Sequence, residues 1–346
     1  MSRFDSSPVL APKSGPAPDS ASAHSSFLPT RVLLIGAGGQ VGQALLRQLG
    51  PECVLALDRQ TPGQSLDLQD LESLAERLHD YIEVSKPSVI INAAAYTAVD
   101  LAQTEPSLAY EINALAPGLI ANVACACGLP MVHYSTDYVF DGQSEKPYTE
   151  TDPTNPLSVY GSSKLAGERA VIASAGQHLI FRTSWVFGEH GQNFLRTMLR
   201  LAQERSELRI VNDQVGAPTS ARLIAAVTIK ALSELNNVQD PRWGLYHLSA
   251  AGQTSWHGYA RYLIEQARHL GWPIHPKLTE SSIVGIPAID YPTPAVRPAS
   301  SRLNTEKLRQ AFGVSLPPWQ EGVRDVLYAL YGMSALQGVQ AGRGSN

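Results

Sequence analysis

A glycine-rich turn between an apolar run and a helical segment constrains the fold of this chain more than any other feature. The run RVLLI at 31–35 is typical of a buried strand, and residues 40–49 have helical spacing. Three glycines form G-x-x-G-x-x-G, which lets the chain turn sharply and approach a pyrophosphate. Because free N–H groups and a positive dipole end meet at a helix N-terminus, the turn predicts a dinucleotide site. The predicted contacts are Gly36, Gly38, Gly39, Gln40, Val41 and Gly42.

Apolar runs and helical segments alternate along the first half of the chain. The runs typical of strands buried on both faces are 31–35, 54–58, 89–92, 131–135 and 178–183. The segments with helical spacing are 40–49, 71–81, 108–127 and 162–174. Such alternation is typical of a parallel sheet covered by helices on both faces. The sequence therefore predicts the α/β class, with a doubly wound parallel (Rossmann-type) sheet and a smaller C-terminal substrate-binding lobe.

The regular pattern begins at residue 31 and weakens after residue 188. Residues 1–30 are rich in Ser, Pro and Ala and lack the apolar segment of a secretion signal, so they predict a disordered tail. We predict that residues 31–188 form the dinucleotide-binding domain and carry the catalytic residues. Residues 189–333 predict mainly the substrate-binding lobe, whose return to the sheet is left open, and residues 334–346 predict a frayed tail.

Charge and cysteine content exclude several classes of protein. The formal net charge is −4, with scattered Lys and Arg, which does not favour nucleic acid or an anionic membrane as partner. We expect no apolar run long enough to span a bilayer. Cys53, Cys125 and Cys127 are too few for a disulfide scaffold and indicate a reducing, cytoplasmic compartment. Because Cys125 and Cys127 would not share a helix face, we predict buried thiols rather than a metal site.

Residues at the ends of other strands extend the predicted cofactor site. Asp58 ends the second strand, where a carboxylate accepts hydrogen bonds from the adenosine ribose, whereas the adjacent Arg59 suits a 2′-phosphate. The two residues favour NAD and NADP respectively, so this choice stays open. Asp67 and Leu68 are predicted to flank the adenine, with a helix N-cap as the alternative role of Asp67. Small side chains after the third strand would let the cofactor lie against the backbone: Ala93, Ala94 and Ala95.

Tyr160 and Lys164 form the spacing Y-x-x-x-K on a predicted helix. Residues four apart share a helix face, so the ammonium would favour the phenolate and lower the tyrosine pKa. Lys164 would also hold the nicotinamide ribose. Thr136 ends the fourth strand, where its hydroxyl would hydrogen-bond a substrate carbonyl. The pattern predicts hydride transfer to a carbonyl carbon, with Tyr160 as the acid that protonates the oxygen.

Longer motifs resemble those of the dTDP-4-dehydrorhamnose reductase family, extended short-chain dehydrogenases. The resemblance rests on segments spread over almost all of the predicted ordered chain: 36–42, 93–100, 135–142, 156–164, 182–188, 213–219 and 297–303. It implies reduction of the C4 carbonyl of dTDP-4-dehydro-6-deoxy-L-mannose to dTDP-L-rhamnose, for cell-surface polysaccharide. It implies NADPH as cofactor, with NADH as the alternative, and Thr136, Tyr160 and Lys164 as the catalytic triad.

The resemblance also implies a set of substrate contacts. Trp185 would stack on the sugar ring, and Tyr96, Thr97 and Val99 would line the cleft near the nicotinamide and the sugar. Thr136 would contact the carbonyl. The residues implied at the nucleotide end are Asp213 and Gln214, in the 213–219 loop, and Arg297.

One departure from the family concerns metal. Some members dimerise through a metal held by glutamates, one of them just past the glycine-rich turn, where this chain reads GQAL at 42–45. We therefore predict no metal ligand there and leave Mg²⁺ undecided, and we expect a monomer or weak homodimer.

The alternative functions are a dehydratase, an epimerase and a non-catalytic regulatory subunit. A dehydratase needs adjacent carboxylates after Thr136, and only Asp137 is present. An epimerase is poorly distinguished by sequence. A non-catalytic, NADP-binding regulatory subunit, similar to that of methionine adenosyltransferase, would be free to lose Tyr160 or Lys164. Both residues are present, which favours an enzyme.

Overall fold

The computed structural model describes residues 31–61, 63–235, 237 and 239–343, with the backbone alone for 333–343. The predicted 1–30 tail lies outside the described residues. The strands are β1 (Val32–Ile35), β2 (Val54–Leu57), β3 (Val89–Asn92), β4 (Met131–Thr136), β5 (His178–Thr183), β6 (Val186–Phe187), β7 (Leu208–Val211), β8 (Val215–Gly216), β9 (Thr219–Ser220), β10 (Gly244–His247), β11 (Thr254–Ser255) and β12 (Ile283–Ile286).

The helices follow the strands in alternation through the first half of the chain. They are α1 (Gln40–Leu49), α2 (Leu71–Ser85), α3 (Pro106–Tyr110), α4 (Ala116–Ala126), α5 (Val159–Ala173), α6 (Phe194–Glu204), α7 (Ala221–Glu234), α8 (Trp256–His269), α9 (Glu306–Phe312) and α10 (Trp319–Arg343). A π-helical turn, Glu111–Leu115, joins α3 to α4. Because α10 continues to Arg343, most of the segment predicted as a C-terminal tail continues a helix.

Six parallel strands form the central sheet, in the order β10-β5-β4-β3-β1-β2. The five strands predicted from apolar runs all belong to it, so the predicted doubly wound fold class is confirmed. β1 pairs with β2 on one side and with β3 on the other, so the direction of the crossovers reverses beside β1. Ligands of such sheets bind at this reversal, outside the carboxyl ends of the strands.

Helices cover both faces of the sheet, which explains the continuously apolar strands. In β1, Val32 and Leu34 pack into a cluster with residues of α1, α7 and α9, whereas Leu33 and Ile35 pack with residues of α2 and α4. Side chains alternate between the faces of a strand, so each face needs its own apolar residues. All four residues of β1 are buried.

A second apolar cluster holds the C-terminal half together. It combines residues of α6, α8 and α10 with residues of β7 and β12, which pair in parallel. By contrast, α7 packs on α1 and β10 is the edge strand beside β5, so both belong to the body of the main sheet. The short pair β6–β9 lies where the chain passes between the two clusters.

Two expectations need correction. The cysteines are not buried: Cys53 and Cys127 are half-buried and Cys125 is exposed. Cys125 lies in the last turn of α4, which is less covered than the start of that helix. The stretch Pro106–Ala126 has the length and mean hydropathy, 1.2, of a membrane-crossing helix, contrary to expectation. Half of its most apolar window is buried in the fold, and it packs on α2 and α5, as the core helix of a folded domain does.

Candidate active site

The glycine-rich turn is so tight that two of its glycines leave no room for a side chain. Gly36 has a φ of 82°, in the left-handed region, and a Cβ there would lie 2.5 Å from the backbone nitrogen of Ala94. A Cβ on Gly42 would lie 2.2 Å from the carbonyl oxygen of Gly36. α1 begins after Gly39 with no side-chain cap. The turn thus presents the uncapped N-terminus of α1 at the sheet reversal, a geometry that suits a pyrophosphate.

The other predicted residues of this turn have different surroundings. Gly38 is exposed, and a Cβ there would lie 3.5 Å from the Oδ2 atom of Asp58. The side-chain oxygen of Gln40 accepts a hydrogen bond from the Asn193 amide at 2.8 Å. Val41 packs against the core. Gln40 and Val41 therefore offer a cofactor their backbone, and Gly38 lies beside the carboxylate predicted to bind the ribose.

The adenosine end of the predicted site follows β2. The Asp58 carboxylate accepts hydrogen bonds from the N–H groups of residues 60 and 61, both at 2.7 Å, and the first of these lowers its pKa. Arg59 is exposed. The alternative role of Asp67 as a helix N-cap is wrong, because α2 begins later and its N-cap is Asp70. Leu68 is buried in the core beside α2.

The small residues after β3 complete the crevice. Ala93, Ala94 and Ala95 are half-buried. The Asn92 side chain at the end of β3 accepts a hydrogen bond from the N–H of Ala94 at 3.1 Å, which holds this segment against Gly36.

Tyr160 and Thr136 meet at the carboxyl end of β4. α5 begins at Val159, so Tyr160 lies in its first turn, near the side chain of Thr136. A Cβ on Gly161 would lie 2.2 Å from the carbonyl oxygen of Tyr138, so the missing side chain lets α5 approach the chain after β4. The Thr136 hydroxyl also donates to the Asp137 carboxylate at 3.1 Å.

Lys164 is fully buried one turn after Tyr160. Its ammonium donates to the carbonyl oxygen of Tyr134 at 2.6 Å and lies 3.5 Å from Nε2 of His133. Burial lowers the pKa of Lys164 to about 8, and Glu168 opposes this effect. The predicted lowering of the Tyr160 pKa by Lys164 is wrong for the protein alone. Burial raises the pKa of Tyr160 to about 12, and the hydrogen bond from Thr136 opposes it.

Asp137 is a buried carboxyl group in direct contact with Thr136. It is 3% exposed, and within the described part of the chain its Oδ2 atom has no hydrogen-bond partner. Burial raises the pKa of Asp137 to about 6, against hydrogen bonds from Ser301 and Thr136.

Three of the residues implied as substrate contacts have side chains that contact other residues of the protein. Trp185, with a φ of 49°, stacks on Trp256 with ring centres 3.6 Å apart. The hydroxyl of Tyr96 donates to Glu105 at 2.5 Å. Arg297 forms an ion pair with Asp100 at 2.8 Å. Arg297 thus connects a loop of the C-terminal half to the loop after β3.

Four other implied contacts lie on the same loop as Asp100 or on the 213–219 loop. Thr97 is exposed and Val99 is half-buried, on the same loop as Asp100. The two carboxylate oxygens of Asp213 accept hydrogen bonds from the N–H of Ala288 at 2.9 and 3.0 Å, and Gln214 is half-buried.

Several site residues were missed by sequence reasoning. Trp256 lies 71 positions after its partner and Asp100 lies 197 positions before Arg297, so no local pattern indicates either contact. Glu168 continues the spacing of Tyr160 and Lys164 by one more helical turn, a signal that was available in the sequence.

The fold and the site together define a class of enzyme. A doubly wound sheet with an uncapped, glycine-rich helix start holds a dinucleotide, and a buried Tyr-x-x-x-Lys pair beside a strand-end threonine supplies an acid for carbonyl reduction. This combination is that of a nicotinamide-dependent oxidoreductase of the extended short-chain dehydrogenase type.

Comparisons with known proteins narrow the class to a family. The family model described as "RmlD substrate binding domain" matches residues 30–331. The dTDP-4-dehydrorhamnose reductase of Escherichia coli K12 is 46% identical over 306 residues, covering 88% of this chain and 99% of that protein. That of Burkholderia thailandensis is 47% identical over 307 residues, covering 86% and 99%. The chain belongs to the dTDP-4-dehydrorhamnose reductase family, and the predicted family and enzyme class are confirmed.

A solved structure agrees with this assignment. The dTDP-4-dehydrorhamnose reductase from Bacillus anthracis, in complex with NADP, superimposes with a TM-score of 0.75 at 31% identity. The match covers 87% of this chain and 99% of the Bacillus anthracis chain.

Proposed function

We propose that the protein reduces the C4 carbonyl of dTDP-4-dehydro-6-deoxy-L-mannose with NADPH and so forms dTDP-L-rhamnose. The observation that carries this proposal is the proximity of Tyr160 and Thr136 at the carboxyl end of β4. The pair lies in a sheet whose β1 end carries the tight glycine turn and the uncapped start of α1. Family membership supports the substrate class.

The turn after β1 fits a dinucleotide. The space that a Cβ on Gly36 or Gly42 would need is taken by backbone, so the chain is drawn close and α1 keeps its first N–H groups for a ligand. The bound nicotinamide supplies the hydride. Since Arg59 is exposed beside Asp58, whose Oδ1 atom already accepts two backbone hydrogen bonds, we propose that Arg59 meets a 2′-phosphate. The NADP complex of the Bacillus anthracis relative supports this choice.

The reaction needs a proton at the carbonyl oxygen. As hydride adds to C4, the O–H bond of Tyr160 breaks and its proton moves to the substrate oxygen, which leaves a hydroxyl on the product. Thr136 holds the phenol by a side-chain hydrogen bond and orients the carbonyl. Lys164 keeps a positive charge near the phenolate that results and holds the nicotinamide ribose. Thr136 and Lys164 are buried and Tyr160 is half-buried, which strengthens these interactions by excluding water.

Both halves of the chain supply the substrate contacts in this proposal. Trp185 is held by its stack on Trp256 and by the close approach of Gly216, and its indole would contact the sugar. Tyr96, Thr97 and Val99 would line the cleft, and the 213–219 loop with Arg297 would hold the nucleotide end. Asp213 and Gln214 belong to that loop.

We also propose a cytoplasmic enzyme that acts as a monomer or weak homodimer. In the described ranges, no group of three or more His, Cys, Asp or Glu side chains is placed to hold a metal ion. The net charge of −4 does not attract nucleic acid or anionic membrane.

The test follows the loss of reduced-nicotinamide absorbance with the dTDP-sugar substrate generated in the same reaction. We expect substrate-dependent oxidation of NADPH, faster than that of NADH. Tyr160→Phe should lower kcat by about 10²- to 10⁴-fold, the usual contribution of a general acid, because only the transferable proton is removed. Its NADPH affinity should stay unchanged. Full activity in this variant, or no oxidation of either cofactor by a protein that binds one, would overturn the proposal.

A further inference from the structure

A buried ion pair lies behind the catalytic residues. Glu168 and Arg182 are 1% and 4% exposed. Nε and Nη2 of Arg182 donate to the two carboxylate oxygens of Glu168 at 2.9 and 2.7 Å, and the Ser135 hydroxyl donates to Oε1 as well. The guanidinium carbon lies 5.0 Å from the ring centre of Phe140. Both carboxylate oxygens are therefore satisfied, and the pair joins one helix to two strands.

The position of the pair relates it to the site. Glu168 lies four residues after Lys164 and eight after Tyr160, so the three side chains follow one face of α5. Ser135 directly precedes Thr136 in β4 and is opposite the arginine in the β4–β5 ladder. The contacts of Glu168 thus fix α5 against the strand end that carries Thr136, two turns away from the hydroxyl pair that must stay in contact.

The charge of Lys164 depends on the same carboxylate. Burial lowers the pKa of Lys164, and the charge of Glu168 raises it. The neighbouring groups on β4 add no opposite charge, since burial lowers the pKa of His133 well below its usual value and keeps it neutral at pH 7, and Tyr134 contributes its carbonyl oxygen. Tyr160, with its raised pKa, is also neutral at pH 7.

Two more charged groups lie on the elements packed against α5. Arg182 on β5 is paired with Glu168, and Asp137 after β4 is hydrogen-bonded to Thr136. Glu168 is therefore the carboxylate, among the described residues, that favours the charged form of Lys164.

We propose that Glu168 is a positioning residue of the active site. Through its contacts with Arg182 and Ser135 it holds α5 in the position where Tyr160 lies beside Thr136. This inference rests on the proposed reductase activity and adds to it a residue that does not contact cofactor or substrate.

The test removes both charges together, because Glu168→Gln alone leaves Arg182 buried without a carboxylate and endangers folding. Glu168→Met/Arg182→Met replaces the pair with apolar side chains of similar length, a change that folded proteins commonly tolerate. The matched control, Arg200→Met/Glu204→Met, removes an exposed pair of α6 whose atoms are 2.8 Å apart. A second variant, Glu168→Asp, keeps the charge and shortens the reach.

We expect the buried double variant to fold and to lose about tenfold or more in kcat, since small displacements of catalytic groups have large effects on rate. The alkaline limb of its kcat profile should move to lower pH, because the Glu168 carboxylate raises the pKa of Lys164. Glu168→Asp should lower kcat and leave the limb in place. The exposed double variant should match the wild type in both.

The pH dependence of NADPH affinity gives a second readout that does not need turnover, since Lys164 is the proposed partner of the ribose. In the buried double variant the affinity should decline at lower pH than in the wild type. A folded double variant with wild-type kcat and wild-type pH profiles would overturn the positioning role. An inactive wild type with a shifted binding profile in the variant would overturn the proposed reaction and leave the role of Glu168 standing.

Discussion

Gly42→Ala tests whether the close contact inside the glycine turn holds the start of α1 in place. The added Cβ would lie 2.2 Å from the carbonyl oxygen of Gly36 and 2.8 Å from the Cα of Ala37. These are backbone atoms, which no side-chain rotation can move aside. A carbon–oxygen contact needs about 3.3 Å, so the helix and the turn must separate by roughly 1 Å.

Two opposing effects set the size of the change in the free energy of unfolding. Alanine in a helix is favoured over glycine by about 1 kcal/mol. Inserting a methyl group into a packed site costs about 1–3 kcal/mol, and the upper end applies because backbone opposes backbone. The net loss is roughly 2 kcal/mol, which corresponds to a fall in Tm of about 4 °C for a domain of this size. Displacing the helix N-terminus should also weaken NADPH binding by about tenfold, because its N–H groups are the proposed pyrophosphate ligands.

Thermal unfolding without cofactor and a fluorescence titration with NADPH measure the two effects. Gly38→Ala is the control, since its Cβ would meet only the Oδ2 atom of Asp58 at 3.5 Å, an ordinary contact. We expect its Tm to stay at the wild-type value. If Gly42→Ala matches the wild type in Tm and in NADPH affinity, the contact between the turn and α1 does not set the geometry of the site.

Three other changes probe the charges. Asp137→Asn should gain stability relative to the wild type as pH rises from about 4 to 6, by roughly 3 kcal/mol, because the raised pKa lets the folded wild type hold a proton that the unfolded chain has lost; parallel denaturation curves across this range would contradict it. Arg59→Ala should weaken binding of NADPH about tenfold and leave NADH unchanged, and an equal effect on both cofactors would exclude a 2′-phosphate contact. Arg297→Ala should raise KM while Tm shifts little, since its partner Asp100 is partly exposed; a wild-type KM would remove Arg297 from the substrate site.

Local pattern was sufficient for the sheet and for the order of its strands and helices. Each central strand is buried on both faces, which gives a continuous apolar run. Each covering helix is buried on one face, which gives apolar residues at helical spacing, so both elements can be predicted from the sequence. The β1 run and Gly42 are a clear case, because a side chain at Gly42 is excluded by the backbone of Gly36 and Ala37, which lies near in sequence. The helical spacing of Tyr160 and Lys164 has the same local origin. A side chain at Gly36 is excluded by the backbone of Ala94, which only the fold brings close.

Only the tertiary structure determines which residues of different elements contact one another and how those contacts change their properties. The N-cap of α2 is Asp70 and not Asp67, because the helix begins at Leu71. The pKa of Tyr160 rises because the fold buries the phenol, and the ammonium of Lys164 bonds instead to the carbonyl oxygen of Tyr134. The ion pair of Glu168 and Arg182 joins a helix to the adjacent strand in the sheet. Burial and long-range contacts arise from packing between elements, and no spacing within one element encodes them.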